Sequence, residues 1–391
     1  MTQPRIIYGV QGEGRGHATR SLTVIQSLCE QGYDVKVLSG GDAAPVLKSA
    51  GIDVIEIPLV RYRYAPGGNI CTWRTLLHNT PKALGLLFRM GPSFAAVKRE
   101  ILAFRPDLGI TDFEPYLSRV APLVGLPLVA IDHQHFLTET QLPKPHRLGK
   151  AFILGLYRLG TAWMGGKPDR IIASSFWHFP RRPGSRALLV GPFLSAHLKR
   201  LQPANGSGVV VYLKRAGYFK RLFPAMLAHP EREFQVFSDW TQGQPKEVLP
   251  AHIHLQNVDR QKFLSALAAS HCLISTAGNQ VIGEAAYLGK PILAFPEPDI
   301  MEQELNAAAL NHSRFGRSLP LESITDRSLT AFLAEVPSFK ARLDAFGHSM
   351  ESYDGQARTL RALKRFLRGR LPMPMDLLKP AGSGLSPALA R

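Results

Sequence analysis

The feature that most limits what this chain can fold into is an alternation that runs through it twice. RIIYGV (5–10), DVKVL (34–38), DVIEI (53–57), DLGIT (107–111), PLVAI (127–131) and RIIAS (170–174) read as buried strands, with helical patterns between them. After the first strand Ala18, Leu22, Ile25 and Cys29 recur at helical spacing, and Gly32 fits the residue past a helix end. The alternation stops at GPFL and a Pro/Asn/Gly/Ser-rich stretch, QPANGSG (202–208), which reads as a linker. It restarts with GVVVYL (208–213), EFQVF (233–237), HIHL (252–255), HCLIS (271–275) and PILAF (291–295). Strands that alternate with helices build a parallel sheet covered on both faces. The expected class is therefore α/β, as two doubly wound domains facing across a cleft. Ligands of such open sheets bind at the carboxyl ends of strands.

Charge narrows the choice of partner. The chain carries 47 Lys and Arg against 30 Asp and Glu, a net +17. Residues 61–105 hold eight cations and one acid, residues 144–182 the same, and residues 355–370 six and none. An excess this localised implies an anionic partner: a membrane surface, a nucleic acid or a phosphorylated ligand. Apart from RYRY (61–64), the basic runs lack the interleaved aromatics of a single-strand binder, so no nucleic acid is expected. Segment 73–104 mixes Trp73, Leu76, Leu77, Leu84, Leu86, Leu87 and Phe88 with Arg74, Lys82 and Arg89, as a peripheral membrane surface would. The N-terminus lacks the basic and apolar regions of a signal peptide, and no apolar run reaches the ~18 residues of a span. Cys29, Cys71 and Cys272 show no metal-ligand spacing and read as small core residues. The expected location is the cytoplasm, peripheral on the inner face of the plasma membrane. The Pro/Gly/Ser-rich end, 371–391, reads as disordered.

Two stretches carry chemistry. GVQGEGRGHATR (9–20) is a glycine-rich turn from strand to helix. It misses a dinucleotide fingerprint, because His17 stands at the third glycine position and Ser39-Gly40 replaces the acid after the second strand. It also lacks the Gly-Lys-Ser/Thr of a phosphate loop. What remains is a turn that lets a ligand approach Gly14 and Gly16 closely, with a histidine at a helix start, where a general base could sit. The second stretch is STAGNQVIGEAAYLGKPILAFPEPDIMEQELNA (275–307). Thr276, Ala277, Gly278 and Asn279 form a small-residue turn into a helix whose amides suit a diphosphate. Glu284 lies one to two turns further on, where a carboxylate can accept ribose hydroxyls. Glu302, Gln303 and Asn306 follow the next strand and can pair with sugar hydroxyls.

This second stretch resembles the nucleotide-sugar motif of GT-B fold glycosyltransferases. It is similar to the family that adds N-acetylglucosamine to the undecaprenyl-linked peptidoglycan precursor, and to related bacterial and archaeal transferases. The loop Gly12-Glu13-Gly14-Arg15-Gly16-His17 matches that family's N-terminal loop, Thr276-Ala277-Gly278-Asn279 its diphosphate turn, and Glu284 its ribose acid. Glu302 and Gln303 stand where paired amides contact the donor sugar, Asn306-Ala307 continues the match, and the backbone near Val258 corresponds to the segment that reads the uracil edge. Glu302 departs from the amide of the peptidoglycan enzyme, so another donor sugar is open. Asn279, TDFEP (111–115) and IDHQH (131–135) look more like the related transferases.

The resemblance implies a Rossmann-like acceptor domain over 1–190, a nucleotide-sugar domain over 191–354, and a terminal helix over 355–370 that packs back on the first. It implies a metal-independent, inverting transfer from a UDP-sugar to a hydroxyl acceptor. The acceptor is expected to be a lipid or lipid-linked molecule at an anionic membrane surface. The UDP-sugar is a co-substrate and no cofactor is implied. TDFEP and IDHQH follow strands, so Glu114, Asp132, His133 and His135 are expected to shape the acceptor site. Asp112 is either the base or the residue that orients His17. A UDP-sugar 2-epimerase or nucleotide-sugar hydrolase of the same fold is the alternative, because a fold does not fix its reaction.

Overall fold

The computed structural model describes residues 4–13, 15–57, 80, 85, 87–142, 148–240, 248–298, 300–347 and 353–368. Gly14, Cys71, RYRY, the tail 371–391, and Trp73, Arg74, Leu76, Leu77, Lys82, Leu84 and Leu86 of the basic stretch lie outside the described residues. The fold is α/β, with one parallel sheet in each of two units. The first unit comprises residues up to Phe193 and from Asp354 on, and the second comprises Leu194–Tyr353.

In the first unit β1 (Arg5–Val10), β2 (Asp34–Ser39), β3 (Val54–Glu56), β4 (Leu108–Asp112), β5 (Leu128–Asp132), β6 (Arg170–Ser174) and β7 (Leu188–Val190) lie in the order β3-β2-β1-β4-β5-β6-β7. The chain steps outward from β1 in one direction and, from β4, in the other. The switch point therefore falls between β1 and β4, where Val10 is in register with Asp112. Helices α1 (Arg15–Glu30), α2 (Ala43–Ser49), α3 (Pro92–Phe104), α4 (Leu117–Leu123), α5 (Phe136–Glu139) and α6 (Leu148–Gly165) connect these strands. Side chains alternate faces along a strand. Ile6, Tyr8 and Val10 accordingly pack with Ala18, Val24, Ile25 and Leu28 of α1, while Ile7 packs with Phe94, Val97 and Ile101 of α3.

The second unit repeats the plan. Strands β8 (Val209–Tyr212), β9 (Phe234–Ser238), β10 (Ile253–Asn257), β11 (Cys272–Thr276), β12 (Ile292–Phe295) and β13 (Gly316–Ser318) lie in the order β10-β9-β8-β11-β12-β13. Its switch point lies between β8 and β11, with Tyr212 beside Ser275. Helices α7 (Ala196–Arg200), α8 (Phe219–Leu227), α9 (Arg260–Ala269), α10 (Asn279–Tyr287), α11 (Met301–Ser313) and α12 (Asp326–Gly347) complete it. Finally α13 (Gly355–Leu367) belongs to the first unit. Its Ala362 and Leu363 join the core of β1 and α1, with Leu360, Phe366 and Leu367 packed against it. Asp354 caps it through the amide of Gln356 at 3.0 Å.

Three sequence expectations need correction. Cys29 is exposed, not core, because α1 turns Val24, Ile25 and Leu28 inward and leaves the next position facing out. Cys272 is buried as expected. QPANGSG is not a free linker. The amide of Ala204 donates to Ala268 O at 2.9 Å, and a Cβ on Gly206 would stand 2.1 Å from Ala269 O, so the stretch packs along α9. Two strands, β7 and β13, come in addition to the eleven read from the sequence.

Candidate active site

The first cluster forms at the β1/β4 switch point. The glycine turn carries the chain from β1 into α1, and Gln11 N donates to Asp112 O at 3.0 Å, which ties the turn to the end of β4. His17 sits in the first turn of α1 with its side chain 14% exposed, and its Nδ1 lies 2.8 Å from Asp112 Oδ1. Arg20 and Ser21, three and four residues on, share that helix face. Arg20 Nε donates to Asp112 Oδ2 at 3.2 Å, Arg20 Nη2 to Oδ1 at 2.5 Å, and Ser21 Oγ to Oδ2 at 2.7 Å. Asp112 is fully buried. Burial alone would push its carboxyl up, but the Arg20 guanidinium and His17 more than offset this and hold it at about 2. A carboxylate so held is a poor proton acceptor and a good anchor for an imidazole N–H. With Nδ1–H on Asp112, Nε2 is left as an acceptor. Gln134 Nε2 approaches it at 3.3 Å.

The two loops named with this cluster act as its frame. Glu114 is buried. Its oxygens accept from the amides of Tyr116 at 3.0 Å and Leu117 at 2.6 Å, so it caps the start of α4. Burial pushes its carboxyl up to about 7, against the pull of those amides. Asp132 accepts from the backbone N of His135 at 2.9 Å and lies 2.6 Å from its Nδ1. His133 Nδ1 lies 2.6 Å from Ser174 O, and the His133 ring stacks on Phe136. Glu114, Asp132, His133 and His135 are thus buried residues whose bonds given above run to their own loops and to Ser174 O. Of the IDHQH loop, Gln134 reaches His17.

The second cluster forms at the β8/β11 switch point. Ala277 N donates to Phe295 O at 3.0 Å and Gly278 N to Thr276 O at 2.8 Å. The amides of the turn itself are therefore engaged, and a ligand would meet the first turn of α10, which Asn279 opens. Asn306 Nδ2 donates to Ala277 O at 3.0 Å, fastening α11 to the turn. Glu284 is fully buried in α10. Its Oε1 accepts from Gln280 Nε2 at 2.6 Å and from Arg260 Nη2, while its Oε2 is buried without a hydrogen-bond partner among the described residues. The Tyr353 hydroxyl is likewise buried without one, and Glu284 acts on it electrostatically. Val258 is half-buried between β10 and α9, next to Asp259, which caps α9. Glu302 is half-buried in the first turn of α11. Gln303 is engaged on Glu297, accepting from its backbone N at 2.8 Å and donating to its Oε2 at 2.8 Å. Among the described residues no group of three or more His, Cys, Asp and Glu is arranged to hold a metal ion.

The sequence reading missed Arg20, Ser21, Gln134, Arg260, Gln280 and Glu297. Arg20, Ser21 and Gln280 were accessible by helical spacing from His17 and Glu284. Glu297 was accessible as the second residue past a strand end. Arg260 stands 24 residues from Glu284, and no local spacing links them.

Comparison with known proteins agrees with this architecture. The model of the family described as glycosyl transferase family 1 matches residues 4–337. An uncharacterized glycosyltransferase of Methanosarcina acetivorans is 24% identical over 339 residues, covering 81% of this chain and 85% of the relative. One from Methanosarcina mazei is 22% identical over 335 residues, with the same shares covered. Among solved structures, the glycotransferase of kitacinnamycin superposes with a TM-score of 0.69 at 16% identity, covering 94% of this chain and all of that one (100% of that chain). The calicheamicin glycosyltransferase CalG4 gives 0.66 at 17%, covering 95% and 100%. The glycosyltransferase VinC, solved with dTDP, gives 0.63 at 15%, covering 93% and 100%. These structures share the GT-B fold with this chain. Because the family model spans most of its length, the chain belongs to glycosyl transferase family 1 and is a glycosyltransferase.

Proposed function

We propose that this glycosyltransferase moves a sugar from a UDP-sugar to a hydroxyl of a lipid or lipid-linked acceptor, with inversion and without a metal ion or other cofactor. The observation that carries the reading is His17 held by Asp112 at 2.8 Å with Arg20 and Ser21 behind it. His17 is the base and Asp112 the residue that orients it. As the acceptor oxygen bonds to the anomeric carbon, its proton passes to His17 Nε2. The bond from that carbon to the diphosphate breaks with its electron pair on the departing oxygen. Positioning and fixed dipoles supply most of such an acceleration.

The donor reading rests on the second unit. The first-turn amides of α10 face the diphosphate, the backbone near Val258 reads the base, and Glu284 Oε2 accepts a ribose hydroxyl. Glu302 faces the donor sugar, while Gln303 and Asn306 hold the loop and turn around it. The dTDP bound to VinC makes thymidine the competing base.

A lipid acceptor is supported by α6. One side packs inward through Leu154 and Thr161, and Arg158 Nε donates to Leu137 O at 2.9 Å. The other side exposes Phe152, Ile153, Leu156, Leu159 and Trp163, with Phe152 at 69% and Leu159 at 68%. An apolar stripe of this kind marks an interaction site. The net +17 selects an anionic membrane, such as the cytoplasmic leaflet. A Cβ on Gly165 would stand 2.6 Å from His135 Nε2, so the end of α6 abuts the IDHQH loop. Among the described residues no helix is long and apolar enough to cross a membrane.

The test is to find which nucleotide sugars raise the melting temperature, then incubate those with the protein and anionic lipid extract. UDP together with a glycosylated lipid supports the reading. UDP with only free sugar indicates a hydrolase, and an epimerised donor an epimerase. Stabilisation by dTDP-sugars alone replaces the uridine reading.

A further inference from the structure

Helix α6 carries the exposed apolar stripe, and its end is fastened to the loop that follows β4. The last carbonyls of a helix lack partners within it and favour a cation, yet the last turn of α6 holds no basic residue. The cation comes from α4. Arg119 Nη2 donates to Trp163 O, and its Nη1 donates to Met164 O at 3.3 Å and to Pro115 O at 2.9 Å. The guanidinium also lies over the Trp163 ring, 4.5 Å from the centroid. One half-buried side chain thus joins the end of the stripe to the TDFEP loop. That loop is closed on itself: Thr111 Oγ1 accepts from Glu114 N at 2.9 Å and donates to Glu114 O at 3.1 Å, and Ser118 Oγ donates to the same carbonyl at 2.7 Å. Pro115 is therefore held at a fixed distance from Asp112, which carries His17. Two glycines let the joint close. A Cβ on Gly166, at φ 71°, would stand 3.0 Å from Ser118 O, and one on Gly165 2.6 Å from His135 Nε2.

We propose that Arg119 is a positioning residue: it sets α6 against the TDFEP loop, so that an acceptor carried on the apolar stripe presents its hydroxyl to His17. This rests on the lipid-acceptor reading above. Arg119 acts through Pro115 and the end of α6, not through contact with either substrate. The role needs a guanidinium. Its donors spread in a rigid plane, so they reach carbonyls of two elements at once while the face of that plane stacks on the indole. An ammonium is a point charge and holds no such joint. Precision matters here because a misplacement of about 1 Å between reacting groups can cost about 10²-fold in rate.

The test measures sugar transfer to vesicles of anionic lipid extract, from the nucleotide sugar that stabilises the full chain, in the wild type, Arg119→Lys and Gly166→Ala. Lysine keeps the charge and loses the planar fork, and alanine at 166 opens the same joint from its other side. In both variants kcat should fall at least about tenfold. The vesicle concentration giving half the maximal rate, the vesicle co-sedimentation and the calorimetric affinity for the matching nucleoside diphosphate should stay within about twofold. An unchanged calorimetric stoichiometry shows that the loss is one of geometry and not of folded protein. Full transfer by either variant overturns this inference. So does a loss shared in proportion by transfer, sedimentation and stoichiometry, because Arg119 would then only hold the fold. Both of those results leave the lipid-acceptor reading intact, whereas a wild type that transfers nothing to lipid overturns both.

Discussion

At the scale of single residues, the arrangement around Asp112 divides labour between an imidazole and a carboxylate. A carboxyl held at about 2 is a weak proton acceptor at neutral pH, which supports its imidazole partner as the base in the proposed reaction. His17→Ala should lower turnover by about 10²–10⁴ and leave UDP affinity by calorimetry nearly unchanged. A comparable loss of UDP affinity would instead make His17 a donor ligand. The same carboxylate gives a pH signature. Its folded pKa lies below the ordinary 3.8, so its contribution to stability is present above that value and is lost as pH falls from about 4 through 2. The contribution is about 2 kcal/mol by linkage, and thermal melts across that window measure it. Asp112→Asn should flatten the window. At neutral pH it should cost about 3–5 kcal/mol, because Arg20 stays buried without its counter-ion. Asp112 beside His17 was one of two roles open in the sequence; the contact itself comes from the fold. His17 and Asp112 lie 95 positions apart, and only the parallel register of β1 with β4 makes them neighbours.

At the scale of elements, α10 and β13 behave in opposite ways. The start of α10 was readable, because Thr276-Ala277-Gly278-Asn279 is a small-residue turn between an apolar run and a helical pattern. Glu284 falls on its buried side, where one oxygen is satisfied and the other is not. Glu284→Ala should weaken UDP binding by about 1–3 kcal/mol, and unchanged affinity would remove Glu284 from the donor site. In contrast β13, Gly-Arg-Ser, has no strand signature, since glycine and polar residues are poor strand formers. It is a strand because Gly316 lets two backbones come together: a Cβ there would stand 1.9 Å from Ile292 O. Gly316→Ala should therefore destabilise the second unit by about 1–3 kcal/mol, the scale of overpacking, read as a lower melting temperature.

At the scale of the whole molecule, the charge and the apolar stripe of α6 make one prediction. The protein should co-sediment with anionic vesicles and not with neutral ones. Each basic residue near the surface contributes about 1 kcal/mol, and salt should release the protein because such attraction is screened. Phe152→Glu with Leu159→Glu should abolish sedimentation without lowering UDP affinity, since both side chains are already exposed. Equal failure to bind either vesicle at low salt would move the acceptor to a soluble molecule. The stripe escaped the sequence reading because apolar residues on α6 look the same whether they face a core or solvent. The basic segments 61–105, 144–182 and 355–370 read as the membrane side, with α6 inside the second of them, but amphipathic character is read only in 73–104.

The order of the eleven strands other than β7 and β13 and of the helices between them, the two-unit plan and the position of both small-residue turns were determined by the sequence alone. Each rests on local physics: short continuous apolar runs for strands buried on both faces, helical spacing for the covering helices, small residues where the backbone must turn sharply. Tertiary structure decided which chemical groups meet. Asp112 reaches His17, Arg260 reaches Glu284, and Glu297 collects Lys214, Arg215, Tyr218 and Gln303, because parallel strands distant in sequence end at the same edge of a sheet. It also decided that Glu114 and Asp132 frame the site from within, since burial obliges a carboxylate to take the nearest amides. Strand end and residue type can be read from a local stretch of chain, but the partner of a buried charge is set by topology.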